Sequence, residues 1–251
     1  MSLRLAPLFF GILALIAWEG LVRRLEVPAY IVPAPSAVFA AFAADPMGLL
    51  ISLASTLTVT FTALLVAAIL GASMAVAMAA SRFAQAAIQP WAVALQVTPL
   101  PAIAPLIIVW VGDPFTSLVV CATIVAFFPL FANTATGLAS PPPELADLFQ
   151  LYGAGRFRTL LLLRLPAALP YFLSGLRISG GLALVGAVVA ELVAGSGGFA
   201  SGLAYRILEA SYRLEMPRMF AALMLLALAG IAINHGIGAL GRLVMRSRGD
   251  A

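Results

Sequence analysis

"DLFQLYGAGRFRTLLLLRLPAALP" occupies residues 147–170. It holds three arginines, two glycines and two prolines, and it lies between runs that are almost wholly apolar. The flanking runs decide the fold. The charged, glycine-hinged interruption then has to be explained within that fold.

The chain has 251 residues, 63% of them apolar and 10% charged, with a mean hydropathy of +1.09. Soluble domains carry about 25% charge. A soluble fold of this length cannot hide so much apolar surface, so lipid is the expected solvent. Six apolar runs stand out, at about 3–22, 52–80, 87–111, 116–138, 167–194 and 218–240. Each exceeds the roughly 17 residues that cross hydrocarbon as a helix. None alternates polar with apolar residues as barrel strands do. The expected fold is all-α: one polytopic membrane domain over 1–251, with about six transmembrane helices and multi-pass insertion. The first run is followed by Trp18, Glu19, Arg23 and Arg24 rather than a small-residue cleavage site, so it reads as an uncleaved anchor. A short apolar stretch at 36–44 follows a proline-rich segment and predicts a helix lying at the interface.

All fourteen basic residues are arginine. A phosphate-binding loop of the Walker type needs a lysine, so the chain cannot carry an ordinary one. Schiff-base chemistry is excluded for the same reason. Cys121 is the single cysteine and His235 the single histidine, which rules out an intrachain disulfide and leaves too few ligands for a Cys/His metal site. No cofactor and no catalytic residue are expected. The pI near 9.8 would suggest nucleic acid in a soluble protein, but here the arginines flank membrane runs. With the N-terminus inside, Arg4, Arg82, Arg156, Arg158, Arg164, Arg242, Arg246 and Arg248 face the cytoplasm. Arg23, Arg24, Arg206, Arg213 and Arg218 face out, and Arg177 falls near a helix start as an interface anchor. On this count the segment 139–166 is cytoplasmic, between spans four and five.

That segment has helix logic of its own. Prolines fit a turn and the first helical positions. Glu144 and Asp147 place negative charge in the first turn. Leu145, Leu148, Phe149 and Tyr152 fall at i, i+3, i+4 and i+7, on one face. Gly153 and Gly155 permit a stop or bend. A second helical stretch, about 156–164, leads to Pro166 and the next span. Periodicity leaves two readings: a connecting helix resting on the bilayer or on its own spans, or a helix docked into another protein.

The same residues resemble a family. Permease subunits of binding-protein-dependent ABC importers carry a cytoplasmic motif E-A-A-x3-G-x9-I-x-L-P. This chain has Asp147-Leu148-Phe149, then Gly153, then Leu163-Arg164-Leu165-Pro166, at the full spacing. "PAALPYFLSGLRISGGLALVGAVVAELVAGSGGFA", "VPAPSAVFAAF" and "QVTPLPAIAPLIIVW" are similar to the nitrate/sulfonate/taurine branch, which also includes permeases proposed for thiamine precursors and riboflavin. The departures are Asp for Glu and Leu-Phe for Ala-Ala. The resemblance implies a coupling helix, with Leu145, Asp147, Leu148, Phe149, Tyr152, Gly153 and Arg156 meeting a cytoplasmic ABC ATPase that binds the ATP. It also implies a second permease copy as a homodimer, an extracytoplasmic binding protein and a place in the bacterial plasma (inner) membrane. It does not specify the solute.

Other residues stand out on physical grounds. Glu191 lies deep in the fifth run, where an unpaired carboxylate costs about 2.5–3.5 kcal/mol. It is either a pathway or gate residue or an acid near the outer interface. Pro99, Pro101 and Pro105 break the third run and mark either a pathway or a packing kink. Gln96, Thr98, Asn133 and Thr136 supply hydrogen bonds either along a pore or between helices. "AGSGGFASG" after the fifth run reads as an outward loop rather than a phosphate cradle. A secondary transporter using Glu191 as an ion or proton site is the competing function. An intramembrane protease lacks a strong serine motif.

Overall fold

A computed structural model describes residues 6–195 and 201–246, and among these every regular element is helical. In chain order they are α1 (Ala6–Arg24), α2 (Pro35–Ala44), α3 (Pro46–Ala80), α4 (Arg82–Val97), α5 (Leu100–Val111), α6 (Pro114–Ala139) and α7 (Pro143–Leu151). Then come α8 (Arg156–Thr159), a π-helical turn (Leu160–Arg164), α9 (Leu165–Ala194), α10 (Leu203–Tyr212) and α11 (Met216–Arg246). Among the described residues, four helices are long and apolar enough to cross a membrane: α3, α6, the continuous stretch Arg156–Ala194, and α11. Helices α4 and α5 together make a fifth if the bent pair counts as one span.

The third apolar run is therefore not the single straight span that its length suggests. It breaks at Thr98-Pro99, and its two halves meet at 106°. Proline chemistry explains the break. Pro99 and Pro101 lack the N–H groups that would continue the α4 ladder, and Pro101 suits the first turn of a new helix. Helix α10 is an addition the hydropathy runs did not reveal, being too short and too polar. The proposed loop after α9 falls mostly on residues 196–200, outside the described residues.

The residues group into two compact units. One comprises residues 1–55 and 195–228. In it, Glu19 on α1 accepts bonds from the Ser36 backbone N–H (2.9 Å) and hydroxyl (2.7 Å), so a neighbouring helix caps α2, whose own Ala34 cannot. Asp45 plays a double part, accepting from Gly48 N–H at the start of α3 and pairing with Arg218 at 2.8 Å. Arg206 binds Ser52 and Glu209, and Arg213 also pairs with Glu209.

The other unit comprises residues 56–194 and 229–251. Its axis is the α6–α9 pair. The meeting faces are made of small residues: Ala122 and Ala126 on α6, and Gly175, Ser179, Ala183, Gly186, Ala187 and Ala190 on α9, all buried. Membrane helices gain little from hydrophobic burial against each other, so close backbone approach and dispersion hold them together. The approach is tight enough that a Cβ on Gly186 would come within 2.9 Å of the Ala122 Cα. The Ser179 hydroxyl donates to the Ala126 carbonyl across the seam at 2.7 Å. Ile233 and Ile237 of α11 close over Gly180. Arg177 is not at a helix start as its sequence position suggested. It lies inside α9, and its Nε donates to Asn234 Oδ1 on α11.

Candidate functional site

Helix α7 leaves the end of α6 through Ser140, Pro141 and Pro142, and begins at Pro143, where no backbone donor is lost. It ends on Gly153, whose φ of +66° is left-handed and costs a glycine nothing. The Gly153 N–H donates to the Gln150 carbonyl and the Ala154 N–H to the Phe149 carbonyl, each at 2.9 Å. This paired closure satisfies two of the last carbonyls and turns the chain sharply into α8. The motif glycine is thus a helix terminator.

No residue of α7 is buried. Its apolar residues split into two groups. Leu145 and Leu148 are each 44% exposed, and Leu151 and Tyr152 are 85% and 83% exposed. Phe149 is half-buried, as is Ala146, so both turn toward their own chain. The stripe that periodicity drew through Leu145, Leu148, Phe149 and Tyr152 therefore loses Phe149 and gains Leu151. Leu151 escaped notice because it lies outside the i, i+3, i+4, i+7 series. Asp147 and Arg156 are exposed beside the stripe.

Helix α8 passes through the π-helical turn into α9 without a break. The turn closes with the Leu165 N–H on the Leu160 carbonyl, five residues back. Pro166 follows immediately, and its missing N–H disturbs the i→i−4 ladder there. The Arg164 guanidinium donates to the Ala79 carbonyl at the end of α3 (3.2 Å), which pins the base of α9 to a neighbouring helix. A displacement of α7 thus acts on the end of one helical rod, Arg156–Ala194, about 58 Å long at 1.5 Å per residue.

At the far end of that rod, Glu191 is 5% exposed, and its Oε2 accepts a bond from Thr56 Oγ1 of α3 at 3.1 Å. The other polar residues flagged in the sequence do not gather around it. Asn133 Nδ2, Thr98 Oγ1 and Thr136 Oγ1 donate to the carbonyls of Pro129, Ala94 and Ala132, each four residues back on its own helix. Their donor groups are thus spent within their own helices. Asn133 also packs at Gly175, about 24 Å from Glu191 along α9. Gln96 and Pro101 are exposed at the α4–α5 break. His235 bonds the Ile231 carbonyl of its own helix at 2.9 Å. No group of His, Cys, Asp and Glu able to hold a metal occurs among the described residues.

A sequence profile of the binding-protein-dependent transport system inner membrane component matches residues 67–247. A probable ABC transporter permease protein of Haemophilus influenzae is 34% identical, over 93% of this chain and 94% of its own length. The riboflavin transport system permease protein RibX of Chloroflexus aurantiacus is 39% identical, over 93% and 87%. The formylaminopyrimidine transport permease protein ThiX of Halalkalibacterium halodurans is 30% identical, over 90% and 89%. The profile runs from the middle of α3 through the unburied α7 to the last turns of α11, and so takes in the whole helical rod and the helix hung from its base. The chain belongs to this family of inner-membrane transport components: it is a multi-pass permease subunit of a bacterial ABC-type importer, and ATP is hydrolysed on a separate subunit.

Proposed function

We propose that α7 is the helix through which the ATPase drives this permease, and that Leu145, Leu148, Leu151 and Tyr152 are the residues it grips. The observation that carries this is an amphipathic helix with no buried residue, fixed to the base of a membrane-spanning rod. Asp147 and Gly153 complete the contact as charge partner and terminator, while Arg156, at the start of α8, lines the cavity behind α7 instead. Phe149 supports the helix from its inner side.

The reading extends to topology and partners. Six spans place both termini in the cytoplasm, with α1, 19 residues or about 28 Å long, as the sixth. Arginine placement supports this. Every described arginine assigned to the outside lies in one compact unit and every described arginine assigned to the cytoplasm in the other. A second copy of the chain completes the pathway, and an extracytoplasmic binding protein delivers the solute. ATP-driven closure of the ATPases moves the α7 helices. The two permeases then rock, and the central cavity opens alternately outward and inward. Glu191, at the end of the rod away from α7, belongs to the outer gate. The relatives are named for different solutes, riboflavin and formylaminopyrimidine among them. Selection therefore rests on the binding protein.

The test is the double substitution Leu148→Ala, Tyr152→Ala. Burying one such side chain is worth roughly 1.5–3 kcal/mol, and truncating a central anchor costs about 2 kcal/mol or more, roughly thirtyfold in affinity. The variant permease should insert at wild-type yield, lose its ATPase on purification and import nothing. Gln150→Ala should keep both. Phe149→Ala should lower permease stability as well as docking. Wild-type ATPase stoichiometry in the double variant would refute the assignment.

A further inference from the structure

Where the ends of α3, α4 and α6 meet α7, α8 and the π-helical turn, they enclose an open cavity of about 1080 Å³. Its charged lining is of one sign: Arg82, Arg156 and Arg164, with no aspartate or glutamate. Arg164 is committed to the Ala79 carbonyl. Arg82 on α4 and Arg156 on α8 are exposed and make no side-chain hydrogen bond or ion pair among the described residues. The rest of the wall is mainly apolar, including Met78, Leu138, Leu160 and Leu163. Arginines that share a cavity with an apolar wall suit a molecule with an oxyanion at one end and hydrocarbon at the other.

We infer that this cavity binds the phosphate headgroup of an anionic phospholipid, with Arg82 and Arg156 on the phosphate and the acyl chains lying against Met78, Leu160 and Leu163. The apolar wall favours lipid over a soluble anion, since an inorganic anion would leave Met78, Leu138, Leu160 and Leu163 uncovered. Charge favours an anionic lipid over a zwitterionic one, since each arginine near the membrane surface strengthens binding to anionic headgroups. The cavity also touches Ala146 and Gln150, on the side of α7 away from its exposed stripe. A bound headgroup would back α7 while its other face stays free for the ATPase, which makes lipid a regulator of coupling. That regulatory step rests on the docking role proposed above; the binding itself does not.

The full-length permease, purified in detergent, is examined by native mass spectrometry with added phosphatidylglycerol, phosphatidylcholine or inorganic phosphate. Wild type should retain phosphatidylglycerol adducts that phosphatidylcholine and millimolar phosphate fail to displace. Arg82→Gln, Arg156→Gln should weaken retention about thirtyfold for the two lost charges. Arg82→Lys, Arg156→Lys should keep most of it, which separates charge from folding. Arg246→Gln, outside the cavity, should match wild type. Equal retention of phosphatidylcholine, or an unchanged double glutamine variant, would overturn the inference. Displacement by phosphate alone would assign the site to a soluble anion. Loss of the adduct whenever ATPase is bound would assign the arginines to that protein. Either result contradicts the lipid site. Failure of the Leu148→Ala, Tyr152→Ala test leaves these outcomes untouched, so the two proposals fall separately.

Discussion

Helices α6 and α9 and the short α7 that joins them follow opposite rules. Along α6 and α9, residues are small where the backbones meet, and twelve positions of α6 and ten of α9 are buried, so the two helices pack closely. Along α7 the apolar residues are large, and none is buried. The first pattern makes a rigid rod and its socket. The second leaves a face, Leu145, Leu148, Leu151 and Tyr152, largely uncovered among the described residues. The docking role proposed for α7 needs both, because force applied there is useful only if the rod does not absorb it.

The largest expected effect comes from breaking the rod. Gly186→Leu would drive a side chain into the Ala122 backbone at 2.9 Å, where a neighbour cannot swing aside. Overpacking ordinarily costs about 1–3 kcal/mol, and backbone contact places this case at the upper end. Permease yield and thermal midpoint should collapse. Gly181→Ala, with open space around its Cβ, should match wild type. A folded Gly186→Leu permease would show that the seam yields and the rod is not rigid.

A smaller and more selective effect is expected at the far end of the rod. Glu191→Gln keeps the shape and the acceptor for Thr56 while removing the charge. Assembly with the ATPase should be retained while uptake falls severalfold. Normal uptake would reduce Glu191 to a tolerated buried acid.

The smallest effect is a pH dependence. Asp113 caps α6 by accepting bonds from the Thr116 hydroxyl and backbone N–H, and these hold its carboxyl below the usual carboxylate range. A depressed value means that its contribution is present above that range and fades as pH falls through it. The difference in thermal midpoint between wild type and Asp113→Asn should therefore be seen at about pH 6 and shrink towards about pH 3. A difference that grows on acidification would contradict the capping role.

Much of this was legible in the sequence because lipid imposes simple demands. Apolar run length located every long helix, and the Pro-Pro-Pro and Gly153 signals bracketed α7 closely. What hydropathy could not resolve was geometry within a run. Residues 87–111 are apolar throughout, so only the proline chemistry at Thr98-Pro99 hinted that they form two helices at 106°. Side-chain destinations were less legible still. For Asn133 and Thr136 the sequence left a pore or an interhelical bond open, and their donors bond a carbonyl four residues back, as polar residues inside a helix often do. Phe149 and Leu151 exchanged places because a nine-residue helix leaves the direction of its face to the turns at its ends.

The measurement that tests the contrast most directly is hydrogen–deuterium exchange of the purified permease with and without its ATPase. Amides of the α6–α9 seam, around Ala126 and Ala183, should exchange slowly in both states. Amides of α7, from Leu145 to Tyr152, should exchange quickly in the isolated permease and become protected on adding ATPase. Protection should be lost again in the Leu148→Ala, Tyr152→Ala variant. If α7 exchanges equally fast with and without the ATPase, it is not the docking helix, and force enters the permease elsewhere.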